Sequence, residues 1–289
     1  MEKISDIKTL TEEELKNWLK EVGEKPFRAD QIRNRLFCGQ VKSFNEMETI
    51  PAALREKLSA NFRITSLEEA KRLISVDGTV KWLYQTHDGH HIETVLIPTN
   101  DRFSVCVSTQ IGCAQNCAFC RTAKMGFIRN LEAGEILEEI IRVNWYLEET
   151  GTKHSDGSLA KVTNIIFMGM GEPLNNLEQV HRVCCTLHHQ KLFNLGRKRM
   201  TISTSGVVPK IKELVDRNTP CCLAVSLNST NDERRSAVMP VNKVWNIAKL
   251  LEATDEYTKR TGNYVTFEFV LMKGITCSEE AAKELIRIS

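Results

Sequence analysis

The chain has 289 residues, 42% of them hydrophobic and 26% charged, with a formal net charge of +2. Those proportions are ordinary for a globular protein, no run approaches the roughly 18 apolar residues of a membrane span, and a charge so near neutrality neither favours nor excludes a nucleic-acid partner. The N-terminal stretch through Glu14 is acidic where a signal peptide is basic and then apolar, so a cytoplasmic protein without a membrane partner is expected, and in that compartment its ten cysteines are more readily ligands or redox groups than disulfide staples.

Residues 1–70 read as a small helical domain. Thr11-Glu12-Glu13-Glu14 resembles a capping box, Leu15, Trp18, Leu19 and Val22 fall at helical spacing, and Gly23 follows. A second helix fits Ala29 to Phe37, and a third begins at Pro51 with Leu54 and Leu58 on one face. Over residues 71–100 the period changes to two: Val80, Trp82 and Tyr84 precede Asp88-Gly89, and Ile92, Thr94 and Leu96 follow it, which predicts a β-hairpin extension. His87, His90 and His91 crowd its turn and read as exposed turn residues rather than a metal site, because no Cys or carboxylate set accompanies them.

Residues 101–289 alternate strand and helix. The pairs are 103–108 with 133–147, 162–168 with 177–192, 200–204 with 209–216, 221–226 with 244–261, and 265–271 with a helix from Ser278 onward. Five βα units predict an α/β fold, a parallel sheet or partial barrel covered by helices, with chemistry at the C-terminal ends of the strands.

Four cysteines fall within the fifteen residues Cys106–Cys120, and three of them, Cys113, Cys117 and Cys120, are spaced C-x3-C-x2-C after a predicted strand. Structural zinc usually takes four ligands in paired knuckles, and no second pair of suitable spacing follows. The adjacent pairs Cys184-Cys185 and Cys221-Cys222 read as buried core thiols, since neighbouring side chains point apart. Three thiolates on a short loop suit a [4Fe-4S] cluster that leaves one iron open. S-adenosylmethionine bound to that iron through its amino and carboxylate groups would take an electron and cleave to a radical. The loop, with Phe119 before its last cysteine, resembles the signature of the radical S-adenosylmethionine superfamily. Gly169-Met170-Gly171-Glu172-Pro173, Ser203-Thr204-Ser205-Gly206 and Ser226-Leu227-Asn228 end three successive predicted strands, and that convergence of small polar groups favours a binding site at one mouth.

Taken with Pro26–Ile32, Ile92–Pro98, Cys106–Cys120, Gly126–Leu131, Met168–Asn176 and Ser203–Pro209, these motifs resemble the radical S-adenosylmethionine RNA adenine C2 methyltransferases, dual-specificity enzymes of large-subunit ribosomal RNA and transfer RNA. The resemblance covers essentially the whole chain. It implies a partial (β/α)6-type barrel with five βα units present and the last strand missing. It also implies cluster ligation by Cys113, Cys117 and Cys120, and an S-adenosylmethionine site lined by Gly171, Glu172, Ser203, Ser226, Leu227 and Asn228. Glu93 matches the family's active-site glutamate. Cys106 matches the cysteine that resolves a covalent enzyme–RNA intermediate by forming a disulfide. A reductase or flavodoxin-type electron donor and a monomeric state are further expectations. The helical domain resembles the family's accessory RNA-binding domain, and the basic run Gly196-Arg197-Lys198-Arg199 is a candidate phosphate contact or a solvated loop.

One departure stands out. The family's methyl-carrying cysteine lies in a C-terminal segment, and Cys277 in Gly274-Ile275-Thr276-Cys277-Ser278-Glu279 does not match it. A chain lacking the C-terminal segment of an active enzyme is therefore expected. A cluster-containing RNA-binding paralogue and an adenine C8 methyltransferase are the other readings.

Overall fold

The computed structural model describes residues 5–65, 67–273 and 276–288; Gly274 and Ile275 of the Cys277 segment, and Ser289, lie outside them. Among the described residues no helix is long and apolar enough to cross a membrane.

The helical unit begins with the capping box expected from sequence. The Glu14 N–H donates to the Thr11 hydroxyl (3.1 Å) and the Thr11 N–H to the Glu14 carboxylate (2.7 Å). Helix α1 (Glu12–Glu21) then buries Leu15 and Leu19, and α2 (Arg28–Cys38) and α3 (Ala52–Asn61) pack beside it. Two short strands, β1 (Ser5–Asp6) and β2 (Phe62–Arg63), pair in parallel and close the unit. Its core does not stop at residue 70. One continuous apolar cluster runs from Leu15 and Leu54 to Ile165 and Leu223, and the buried Lys8 pairs with Glu138 in a helix of the following α/β region.

The next strands, β3 (Glu68–Ile74), β4 (Val80–Gln85), β5 (His91–Thr99) and β6 (Arg102–Cys106), form an antiparallel meander. Burial alternates along β4 and β5 as predicted, with Trp82, Tyr84, Ile92, Thr94 and Leu96 inside. The hairpin expected as a separate extension is instead one side of the main sheet, because β5 pairs with β6 over five residues and β6 pairs in parallel with β9 (Asn164–Phe167). The sheet continues in parallel through β10 (Met200–Thr204), β11 (Cys222–Ser226) and β12 (Val265–Glu268), in the order β12-β11-β10-β9-β6-β5-β4-β3. It is therefore mixed: the five strands of the βα units pair in parallel as expected, and the antiparallel meander extends them on one side.

Helices α4 (Ala133–Glu149), α5 (Leu177–His188), α6 (Val208–Asp216) and α8 (Ile247–Thr261) follow the first four parallel strands, and α9 (Glu279–Ile288) follows the fifth. Several features escaped the sequence pattern. A two-stranded ribbon, β7 (Gln110–Gly112) with β8 (Phe127–Asn130), flanks the cysteine loop. Helix α7 (Asp232–Val238) precedes the turn Pro240–Lys243. Helix α8 starts at Ile247 rather than residue 244, because the Asn246 side chain accepts the Lys249 N–H and caps it there. The helix expected through residue 192 ends at His188, since His189 leaves the helical region with ψ at 124°.

Candidate functional site

The C-terminal ends of the parallel strands are cross-braced by hydrogen bonds. Beyond β6, the Val107 N–H donates to the Ile166 carbonyl (3.0 Å), and beyond β9 the Gly169 N–H donates to the Val107 carbonyl (3.0 Å). The glycines of Gly169-Met170-Gly171 allow this approach. A Cβ at Gly169 would lie 2.6 Å from the Val107 carbonyl oxygen, and one at Gly171, where φ is +105°, would lie 2.6 Å from the Gln110 Cβ.

Glu172 is buried, and its backbone N–H donates to the Gln110 side chain (2.8 Å). Its carboxylate accepts from the Leu174 N–H (3.1 Å) and from the Ser205 N–H and hydroxyl (2.8 and 2.7 Å), tying β9 to β10. Burial pushes its pKa up, and the hydrogen bonds from Ser205 and Leu174 oppose that. The carboxylate that sequence offers to a ligand ammonium is thus engaged by protein donors in this structure. Ser203 and Ser226 donate to one oxygen of Glu268 (2.7 and 3.2 Å), at the end of β12. The Leu227 and Asn228 N–H groups donate to the Glu268 carbonyl. Asn228 adopts φ +55°, and its side chain accepts from Val270 (2.9 Å) and donates to the Met239 sulfur (3.3 Å). Gly171, Glu172, Ser203, Ser226, Leu227 and Asn228 therefore meet at one mouth, with Glu268 as a partner that sequence reasoning missed.

The cysteine loop joins β7 to β8 at this mouth. The Cys113 N–H donates to the Gly126 carbonyl (3.1 Å), the Cys120 N–H to the Cys117 carbonyl (3.1 Å), and the Ala118 N–H to Val238 at the end of α7 (2.9 Å). Cys117 packs against a small apolar cluster of Val238, Met239 and Val241. Cys113 is buried, while Cys117 and Cys120 are half-buried. Burial pushes the Cys113 thiol up and the Cys117 thiol up to about 12, and Cys113 and Cys120 add to the shift at Cys117. Among the described residues, no three His, Cys, Asp or Glu side chains are gathered tightly enough to hold a single metal ion. The fit to an iron–sulfur cluster rests on the donor set: three soft thiols on one loop, free of disulfides, with Cys117 feeling the other two.

On the meander side, Cys106 ends β6 half-buried. Burial, then the charges of Glu139, Glu93 and Glu268, push its thiol up to about 11. It forms no disulfide, and all ten cysteines are free thiols. Glu93 is half-exposed on β5 and ion-paired with Lys81 (2.7 Å). Glu139 is wholly buried on α4 and, among the described residues, has no ion pair; it accepts from Thr94 and from the Ser108 N–H (3.1 Å), and burial drives its pKa well above the carboxylate range. Its signal in the sequence is a carboxylate on the apolar stripe of Ile136, Ile140 and Val143.

Arg235 was also missed, because Asp232-Glu233-Arg234-Arg235 reads as a solvated charge run; α7 buries it completely. The adjacent cysteine pairs separate by side: Cys184 and Cys221 are core residues, whereas Cys185 is exposed and Cys222 half-buried. His87 and His91 are exposed and His90 is half-buried. Arg197–Arg199 precede β10, at the end of the strand opposite the mouth, and Arg197 and Arg199 bond Asn218 and Asn164.

The sequence and fold have clear relatives. Residues 5–64 match the family model described as the ribosomal RNA large subunit methyltransferase N-terminal domain, and residues 107–286 match that of the radical SAM superfamily. The chain is 42% identical over 276 residues to the probable dual-specificity RNA methyltransferase RlmN of Bacillus licheniformis, covering 96% of this chain and 74% of that protein. It is 42% identical over 283 residues to the dual-specificity RNA methyltransferase RlmN of Anaeromyxobacter dehalogenans, covering 98% and 75%. A radical SAM methyltransferase from Sphaerobacter thermophilus superposes with a TM-score of 0.90 at 38% identity, over 98% of this chain and 81% of that one. The superfamily's cofactors are a [4Fe-4S] cluster and S-adenosylmethionine. With a three-thiol loop at a mouth of polar strand ends and these relatives spanning nearly its whole length, the chain belongs to the RlmN family of radical SAM RNA methyltransferases.

Proposed function

We propose that this protein methylates C2 of adenine in large-subunit ribosomal RNA and in transfer RNA. The observation that carries the reading is the meeting, at the C-terminal ends of β6 and β9–β12, of the three-thiol loop, the bonded set Glu172–Ser205 and Ser203–Glu268–Ser226, and the thiol of Cys106. In this reading the sheet and its helices are a partial barrel. Cys113, Cys117 and Cys120 hold the cluster, and Gly171, Glu172, Ser203, Ser226, Leu227 and Asn228 line the S-adenosylmethionine site. When bound, these two groups supply radical chemistry, fed by a flavodoxin-type electron donor, which an electron-poor ring carbon requires because it is a poor nucleophile toward a methyl sulfonium.

The chain's own residues bring order and proton control. The bonds of Glu172 and Glu268 fix four strand ends, β9 to β12, relative to one another, so the site's walls are set before ligands arrive. Cys106, with a pKa raised to about 11, stays protonated at neutral pH; only after a base takes its proton would it attack the sulfur of the covalent enzyme–RNA thioether, an S–S bond forming as the S–C bond to the nucleobase breaks. Glu93, whose charge Cys106 senses, is the candidate proton acceptor; Lys81 holds its carboxylate 2.7 Å away until substrate competes for it. The helical unit is the RNA-docking accessory domain.

Mass spectrometry of ribosomal and transfer RNA from a strain lacking the gene tests the reading. Loss of 2-methyladenosine from both RNAs, restored by the gene but not by its Cys106→Ala form, is expected. Unchanged 2-methyladenosine would favour a binding protein, and loss of 8-methyladenosine alone would move the product to C8.

A further inference from the structure

Arg235 is the structure's least explained charge. It is wholly buried on α7, and among the described residues it has no ion pair. Its guanidinium donates only to neutral acceptors: the carbonyls of Leu227 (2.8 Å), Ser205 (2.7 Å) and Ser226 (3.1 Å), and the Asn242 side chain (2.9 Å). A cation kept out of water without a countercharge is costly, and burial accordingly lowers its pKa to about 10. Such a charge persists where an anion belongs beside it. Helix α7, which carries it, lies against the cysteine loop. The backbone explains the closeness: Val238, three residues on along α7, accepts the Ala118 N–H, and Cys117 packs on Val238 and Met239.

We propose that Arg235 is the positioning residue and countercharge of the cysteine loop, bracing the ends of β10 and β11 through their carbonyls while its charge makes the cluster held by Cys113, Cys117 and Cys120 easier to reduce. The inference rests on the cluster assignment made above. Three thiolates outweigh the charge of the oxidised core, so the loaded loop is anionic and becomes more so on taking one electron; a nearby fixed cation stabilises the reduced form more than the oxidised one.

The test uses the full chain, reconstituted anaerobically with iron and sulfide, and titrated with dithionite under electron paramagnetic resonance without S-adenosylmethionine. Arg235→Gln and Arg235→Met are expected to load iron but to show a midpoint potential more negative than the wild type. Arg235→Lys, which keeps the charge and loses the forked donors, is expected to melt at a lower temperature than the wild type yet keep its potential. If the neutral variants do not fold, the lysine variant still decides: a midpoint potential displaced from wild type in loaded Arg235→Lys overturns the proposal, as does a wild-type potential in loaded Arg235→Gln. A wild-type protein that takes up no cluster would sink the cluster assignment itself, and is told apart by its iron content before any titration.

Discussion

Single residues divide here by whether their surroundings satisfy them. Cys113, Cys117 and Cys120 have no disulfide partners, and burial keeps Cys113 and Cys117 protonated until a metal displaces the proton. Replacing any one of the three with serine is expected to reduce bound iron several-fold after anaerobic reconstitution, whereas Cys106→Ser should leave iron content unchanged; colorimetric iron and sulfide assays separate the two outcomes. Glu139 yields a pH prediction. Its folded-state pKa is raised well above 4.5, so its contribution to stability is fully present below the unfolded value and is lost as pH rises through the folded one. Urea denaturation across the range above pH 5 should therefore show wild-type stability falling with pH more steeply than that of Glu139→Gln, which keeps an acceptor for Thr94 and Ser108 without the charge. The three thiols proposed to hold iron were legible because their spacing alone marks them. Glu139, Glu268 and Arg235 were not, because a charged residue shows its burial, as Glu139 and Arg235 do, or its cross-strand partners, as Glu268 does, only when the elements around it are assembled.

At the scale of elements, local chemistry set most boundaries. Glu14 caps α1 and also pairs with Arg182 on α5 at 2.6 Å, so one side chain both starts a helix and fastens it to the α/β region. Glu14→Ala is expected to cost about 1 kcal/mol through the cap alone, read as a lower urea midpoint at constant slope. The capped helix, the Asp88-Gly89 hairpin and the strand Met200–Thr204 were readable because their signals are short-range. The meander's place in the main sheet was not, since hydrogen bonding between β6 and β9 joins residues about sixty positions apart. The ribbon β7–β8 is three and four residues long, too short for a periodicity to register.

For the whole molecule, the shared core decides behaviour. Because the apolar cluster and the buried Lys8–Glu138 pair run through both the helical unit and the sheet, the two should unfold together. Far-ultraviolet circular dichroism and tryptophan fluorescence, the latter reporting Trp18 in the helical unit and Trp82, Trp145 and Trp245 beyond it, are expected to give coincident denaturation curves; two separated transitions would show independent domains. The α/β character, the order of the βα units, the cluster loop and the family were all determined by the sequence alone, because they rest on spacing, period and motif, which are properties of neighbours along the chain. Only the tertiary structure decided that the hairpin extends the catalytic sheet, that the basic run lies away from the mouth, and that Glu172, Glu268 and Arg235 brace the strand ends from within. Those depend on which distant residues share a low-dielectric interior, and there an unpaired charge or a misplaced Cβ costs enough to select one arrangement.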